Sequence, residues 1–190
     1  MNTIFLGDSK KTSLLRAALK LFAEKDYDVV SVRDIAKKAG VSEAALYKHF
    51  KGKEDMALYI FNAIMIKYAE KLLEIKNKQI KAIDKLCDIV EVTYNLYQKY
   101  PNQISFVLLS QYKFWDVLDN ESKPHFIIKS ILEEGMEHGE IPQQEVYLWL
   151  SIYSGIIFQP LSQYKYFYDV LPDFLVLKEK VSMLVRKVFS

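Results

Sequence analysis

Cysteine is almost missing from this chain of 190 residues: Cys87 stands alone, which excludes an internal disulfide framework and fits a reducing cytoplasm. Histidine is nearly as scarce, with three residues, and neither His49 nor His125 has a cysteine or second histidine at metal-ligand spacing. The third, His138, lies one helical turn from Glu134 in an acidic cluster with Glu133, Glu137 and Glu140. A carboxylate-bound metal pair needs such an element from each of two helices, and no second one occurs. The cluster reads instead as a solvated helix end closed by Gly139. There is no glycine-rich phosphate loop and no nucleophile motif, so no enzyme, cofactor or metal site is expected. Strand-type alternation, internal repeats and low-complexity runs are also missing, which points to an all-α fold. Residues 1–8 hold a short apolar stretch with no leading positive charge, unlike a secretory signal, and a cytoplasmic location is expected.

Charge is absent from one long run, residues 146–164. Its dense apolar part, residues 146–158, is shorter than the roughly 20 residues a bilayer requires. Gln159-Pro160 is expected to break the helix there, so the run reads as a buried helix and no membrane contact is expected. Being apolar almost all round, it needs cover on more than one side, which a second subunit would supply.

Positive charge, by contrast, is concentrated. Residues 1–53 carry eleven Lys or Arg against six Asp or Glu, while the remainder carries fifteen against eighteen, for a net +2. Such asymmetry steers a protein toward phosphate and makes its affinity fall steeply with salt.

The motif within that basic stretch runs from Ser31 to Phe50, as two short helices hinged at Ala39-Gly40-Val41. Ser31 can accept from the amide of Asp34 while Asp34 reaches back, and Asp34 also suits the positive end of the helix dipole. Ile35, Ala36 and Ala39 give a narrow apolar stripe that another helix can cross closely. Gly40 supplies the left-handed residue that ends the helix. Ser42 caps the next helix and Leu46 points inward, leaving Glu43, Ala44, Ala45, Tyr47 and Lys48 on or near the outward surface of about two turns. This is the form of a helix-turn-helix that places its second helix in the DNA major groove. Before it, Leu14, Leu15, Ala18, Leu19 and Phe22 give the stripe of an amphipathic scaffold helix from Lys10 to about Lys25. After it, Glu54-Asp55 opens a long helix to about Ile75, with Lys53 beside the backbone of any bound duplex.

The order of a basic amphipathic helix, then S-V-R-D-I-A-K-K-A-G-V-S, then L-Y-K-H-F-K-G-K-E, resembles the DNA-binding domain of the tetracycline-repressor (TetR) family of bacterial transcription regulators. The resemblance covers roughly residues 10–58. It implies phosphate contacts from Ser31, Tyr47, His49 and Lys53, and base or phosphate contacts from Arg33, Ala45 and Lys48. Ser42 and Ala44, at the start of the second helix, complete the expected DNA-binding set. Where family members typically have a glycine and a hydroxyl residue before Leu-Tyr, this chain has Ala44 and Ala45, so its operator preference is its own. The resemblance further implies repression as the default, and a small-molecule effector bound by the larger domain.

Residues 1–53 are thus expected to form a three-helix DNA-binding domain and residues 54–190 a larger helical bundle for effector binding and dimerisation. Helices are expected near residues 79–99, 103–117 and 123–138, separated by Tyr100-Pro101-Asn102 and residues 119–124. Aromatic residues are dense here, and aromatics at helical spacing are usually core. Tyr94, Tyr97, Phe106, Tyr112, Trp115, Trp149 and Tyr153 are the candidates for lining an effector pocket between helices. A last helix, residues 173–188, carries Phe174, Leu177, Val181, Leu184 and Val188 as an apolar seam. With Ser154 and Gly155 allowing close approach, Leu177, Val181, Leu184 and Val188 are expected to pair with symmetry mates in a four-helix homodimer interface. A dimer would set two recognition helices about 34 to 36 Å apart, or a multiple of that, on a palindromic operator of double-stranded DNA. Two readings stay open: an effector-released regulator, and a DNA-binding dimer without a small-molecule effector, controlled by a protein partner.

Overall fold

The structure, a computed structural model, describes residues 9–25, 27–110, 113, 114, 123–164 and 166–190. Among them the secondary structure is helical: α1 (Lys10–Glu24), a 3-10 turn (Tyr27–Val29), α2 (Val32–Ala39), α3 (Glu43–Tyr47), α4 (Lys53–Lys76), α5 (Ala82–Lys99), α6 (Pro101–Ser110), α7 (Pro124–Glu137), α8 (Val146–Tyr164) and α9 (Phe174–Phe189). No helix among the described residues is long and apolar enough to cross a membrane.

Contacts divide the chain into two compact units that are not consecutive in sequence: unit 1 draws on residues 1–65 and 99–118, and unit 2 on residues 66–98 and 119–190. In unit 1, Leu14, Ala18 and Phe22 of α1 pack with Ile35 and Ala36 of α2, Leu46 of α3, and Ile60 and Phe61 of α4. Phe106 of α6 and Phe114 belong to the same core. Phe106 stacks on Phe22 at 5.6 Å, and Phe114 meets the ring of Tyr27 edge-on at 5.6 Å. α6 therefore joins unit 1 although it comes after α5 in the chain. Pro101 opens α6 instead of separating it from α5's end, because a first-turn amide has no helical partner to lose.

Unit 2 is built on buried tyrosines. The phenol of Tyr153 donates to the Leu86 carbonyl at 2.7 Å and that of Tyr94 to the Ile157 carbonyl at 3.3 Å. Thr93 donates to Ile89 at 2.6 Å, so its oxygen accepts from Tyr68 at 2.7 Å. Burial holds the phenols of Tyr68, Tyr94 and Tyr153 well above their ordinary value, so all three stay protonated donors. α5 and α7 approach at Gly135, where an added Cβ would lie 2.7 Å from the Ala82 side chain and 2.6 Å from Ile141.

Two expectations change. α8 does not stop at Gln159-Pro160 but continues through Pro160 to Tyr164. Proline costs an interior helix one amide bond, and α8 keeps burying Leu161 beyond it, so packing outweighs that loss. The buried row of α9 is Leu177, Val181, Val185 and Phe189, at four-residue spacing. The expected seam mixed this row with residues of the outer side: Leu184 is exposed and Val188 half-buried.

Candidate nucleic-acid interface

The helix-turn-helix is held by its own short-range bonds. The Ser31 amide donates to Asp34 Oδ2 at 3.0 Å and the Asp34 amide to Ser31 Oγ at 3.1 Å, closing a reciprocal cap on α2. These bonds, with the Ser31 hydroxyl donating to the same carboxylate at 2.5 Å, hold Asp34 below its usual titration range. Gly40 ends α2 at φ 70° and ψ 31°, and its successor Val41 returns its amide to Ala36 at 3.0 Å. Ser42 then accepts the Ala45 amide at 3.2 Å to start α3.

α3 is only five residues long, so it cannot persist alone and is held by what it buries. Leu46 is its anchor, fully buried, with Phe50 close behind. That anchoring turns Ser42, Glu43, Ala44, Tyr47, Lys48 and His49 outward, with Ala45 half-buried. Tyr47 stands 55% exposed, an aromatic ring in water beside a lysine and a histidine. Arg33 on α2 is exposed too. Of the nine expected DNA-binding residues, seven are thus exposed and Ala45 is half-buried. Ser31's hydroxyl proton is already taken by Asp34. Lys53, the ninth, turns its ammonium inward to the carbonyls of Tyr27 at 2.9 Å and Asp28 at 3.3 Å, and over the Tyr27 ring at 4.3 Å. Lys113 lies over the same ring at 4.2 Å. No sequence signal joined Tyr27, Lys53 and Lys113, because the last is far along the chain and only folding brings it back.

A family model described as bacterial regulatory proteins, tetR family, matches residues 14–60, which hold this surface. Over those residues the chain carries a TetR-type DNA-binding domain. It is a DNA-binding transcriptional regulator. Its likeness to characterised members extends well past α4. The fatty acid metabolism regulator protein of Bacillus subtilis is 28% identical over 139 residues, covering 70% of this chain and 72% of that protein. The transcriptional repressor KstR2 of Mycolicibacterium smegmatis is 26% identical over 141 residues, covering 69% and 67%. Among solved structures, FadR from Bacillus subtilis in complex with stearoyl-CoA shares 25% identity with a TM-score of 0.78, covering 94% of this chain and 98% of that one.

The expected effector residues fall into separate places. Tyr94 and Tyr97 gather around Phe174 of α9, at 5.6 Å from each ring, with Tyr164 closing the group at 5.4 Å from Phe174. Trp149 and Tyr153 meet Phe189 at 4.8 and 5.9 Å, and the Trp149 indole donates to the Pro142 carbonyl at 2.8 Å. Phe106 is in the core of unit 1, so the structure does not group it with these residues. Its helix is drawn there by Phe22 and Phe114. Tyr112 and Trp115 lie outside the described residues.

Of the expected dimer residues, Leu177 and Val181 are turned into unit 2. Ser154 and Val188 are half-buried, and Gly155 and Leu184 exposed. The apolar residues α8 and α9 leave in water are Tyr147, Leu148, Leu175, Val176, Met183 and Leu184. The acidic cluster on α7 is engaged: Glu134 pairs with the buried Lys85 at 2.8 Å, Glu133 with Lys129, and Glu140 accepts the Ala82 amide at 2.6 Å.

Proposed function

We propose that this regulator is a repressor that binds a palindromic operator as a homodimer and leaves it when an effector with a long apolar or aromatic part, a long-chain acyl-CoA being the first candidate, occupies the larger helical region. Residues 1–53 read the DNA, and residues 54–190 carry effector binding and dimerisation. The observation that carries this reading is the extent of the likeness: alignment to a fatty acid metabolism regulator spans 70% of the chain, far beyond the helix-turn-helix. The stearoyl-CoA complex of its structural relative names a ligand class to try. Ser31, Arg33, Ser42, Ala44, Ala45, Tyr47, Lys48 and His49 supply the DNA surface, in the cytoplasm where the chromosome lies. Dimerisation uses the outer rows of α8 and α9, Leu148 and Gly155 on one and Val176, Met183 and Leu184 on the other, in place of Leu177 and Val181.

A second reading has its own support. The rings around Phe174 and around Phe189 already fill one another's space, as a packed core without a small-molecule effector would. Control would then come from a protein partner.

One titration separates the two. A duplex recovered by selection from genomic fragments is labelled, and its complex with the protein is titrated with stearoyl-CoA. Release of the duplex, with stearoyl-CoA affinity reduced by the same factor when operator is present, supports the first reading. Couplings of this kind give about a 5- to 150-fold change. Equal affinity with and without operator overturns it, and sedimentation as a monomer at micromolar concentration overturns the dimer.

A further inference from the structure

The recognition helix α3 hangs from α2, and α2 is reached through the 3-10 turn Tyr27–Val29, which joins it to α1. That joint is gripped from two directions. From one, Lys53 at the start of α4 donates to the carbonyls of Tyr27 and Asp28 and lies over the Tyr27 ring at 4.3 Å. From the other, Lys113, beyond the end of α6, lies over that ring at 4.2 Å and donates to the Asp28 carboxylate at 2.5 Å. Two ammonium groups beside one ring repel each other unless anions and dipoles sit between them. Here the Asp28 carboxylate takes Lys113 and the two carbonyls take Lys53. Phe22 at 5.3 Å and Phe114 edge-on at 5.6 Å fix the ring itself.

We infer that Lys53 and Lys113, together with Asp28 and Tyr27, are positioning residues for operator binding: they clamp the joint that aims the helix-turn-helix, and Lys53 serves the duplex through this clamp and not through a phosphate contact. Three observations support it. Two of the three donors of Lys53's ammonium are directed to protein carbonyls. The clamp touches the turn immediately before the Ser31 cap, so a shift there moves α2 and α3 as one body. The Tyr27 ring belongs to the core of unit 1, but the pair between Lys113 and Asp28 is largely exposed, and exposed pairs contribute little to folding, so breaking that pair leaves the core in place. Asp28 is held below the usual carboxylate range, first by its bond to Lys113, so the clamp stays charged at neutral pH.

The inference rests on the DNA-binding assignment, and binding of the wild-type chain to its selected genomic duplex tests that assignment first. The discriminating variant is Asp28→Ala. It removes a negative charge from a basic unit, so electrostatics alone makes it bind DNA more tightly, whereas loss of the clamp makes it bind about fivefold more weakly. Lys113→Ala is expected to weaken binding by a similar factor with an unchanged slope of log affinity against log salt. Lys113→Arg, which keeps the charge and the ring contact, restores affinity to within about twofold. Asp28→Ala/Lys113→Ala is no weaker than either single variant, since both break the same contact. Lys53→Ala behaves in the same way. A slope reduced by about one per subunit in Lys53→Ala or Lys113→Ala, or tighter binding by Asp28→Ala, overturns the inference in favour of direct phosphate contact. Unchanged affinity in all variants overturns it as well. Helical circular dichroism and melting temperature identify any variant that fails to fold, and Asp28→Asn, which keeps the side-chain volume, replaces Asp28→Ala if it does.

Discussion

The two units satisfy their polar groups by different means. Unit 1 caps its helices over three or four residues, with Ser9, Ser31 and Ser42 before the helices they cap and Asp55 accepting the Lys51 amide at 2.9 Å, and its longer bonds converge on the one turn held by Lys53 and Lys113. Unit 2 does so over long reaches of chain, with Tyr153 bonded to Leu86, Tyr94 to Ile157, Lys85 to Glu134 and Lys178 to Glu91. Short-range caps leave side-chain surface free to meet a partner, and they hold a small helix rigid at the surface. Long-range bonds from buried tyrosines tie helices to one another from inside. The first arrangement suits a reading head, the second a bundle whose helix positions matter.

That contrast can be broken from either side. The largest effect is expected where α7 packs without a side chain in unit 2: Gly135→Val would drive a branched side chain into Ala82 and Ile141 and destabilise the unit by about 3 kcal/mol, read by urea unfolding. A neutral result would mean that α5 and α7 separate freely. Next comes Tyr153→Phe, which removes a buried hydroxyl donor while preserving the ring against Phe189, at a cost of about 1 kcal/mol. Hydrogen exchange should show the loss confined to unit 2. Ser31→Ala should cost about 1 kcal/mol or somewhat less, confined to unit 1, because a short-range cap is replaced in part by water. If its effect instead spread to the amides of α5 and α8, the separation into local and long-range networks would be wrong.

The smallest effect is in pH. Asp34 is depressed in the folded state, first by the hydroxyl of Ser31 and then by its amide, so its contribution is complete above the ordinary value of 3.8. It is lost as pH falls through the lower folded value. Ser31→Ala should therefore flatten the acid side of the unfolding profile below 3.8, measured by melts at stepped pH. A profile identical to wild type would show that the cap does not set this titration.

Legibility split along the same divide. The serines before α2 and α3, the glycine between them and the position of Leu46 were readable because caps, turns and helical stripes are properties of four or five neighbouring residues. Tyr47 and Lys48 face outward as expected, but α3 is five residues long, about one and a half turns where about two are expected. The seam expected on α9 spans two faces of the helix, since Leu177 and Leu184 are seven residues apart yet only the first is buried. Seven residues fall short of two full turns by a small angle, enough to carry a residue from the edge of a buried face into water. Phe106 was assigned with the other aromatics because its sequence neighbourhood resembles theirs.

Residue order alone therefore carried the helical class, the helix-turn-helix, its outward surface and its TetR-type motif, all of which rest on bonds and periodicities that close within a turn or two. Which aromatic belongs to which unit, which face of α9 is buried and what Lys53 holds required the folded chain. Each of those depends on partners tens of residues away, as Lys113 is from Asp28, and a helix with apolar residues on several sides can bury any of them until a neighbour takes its place.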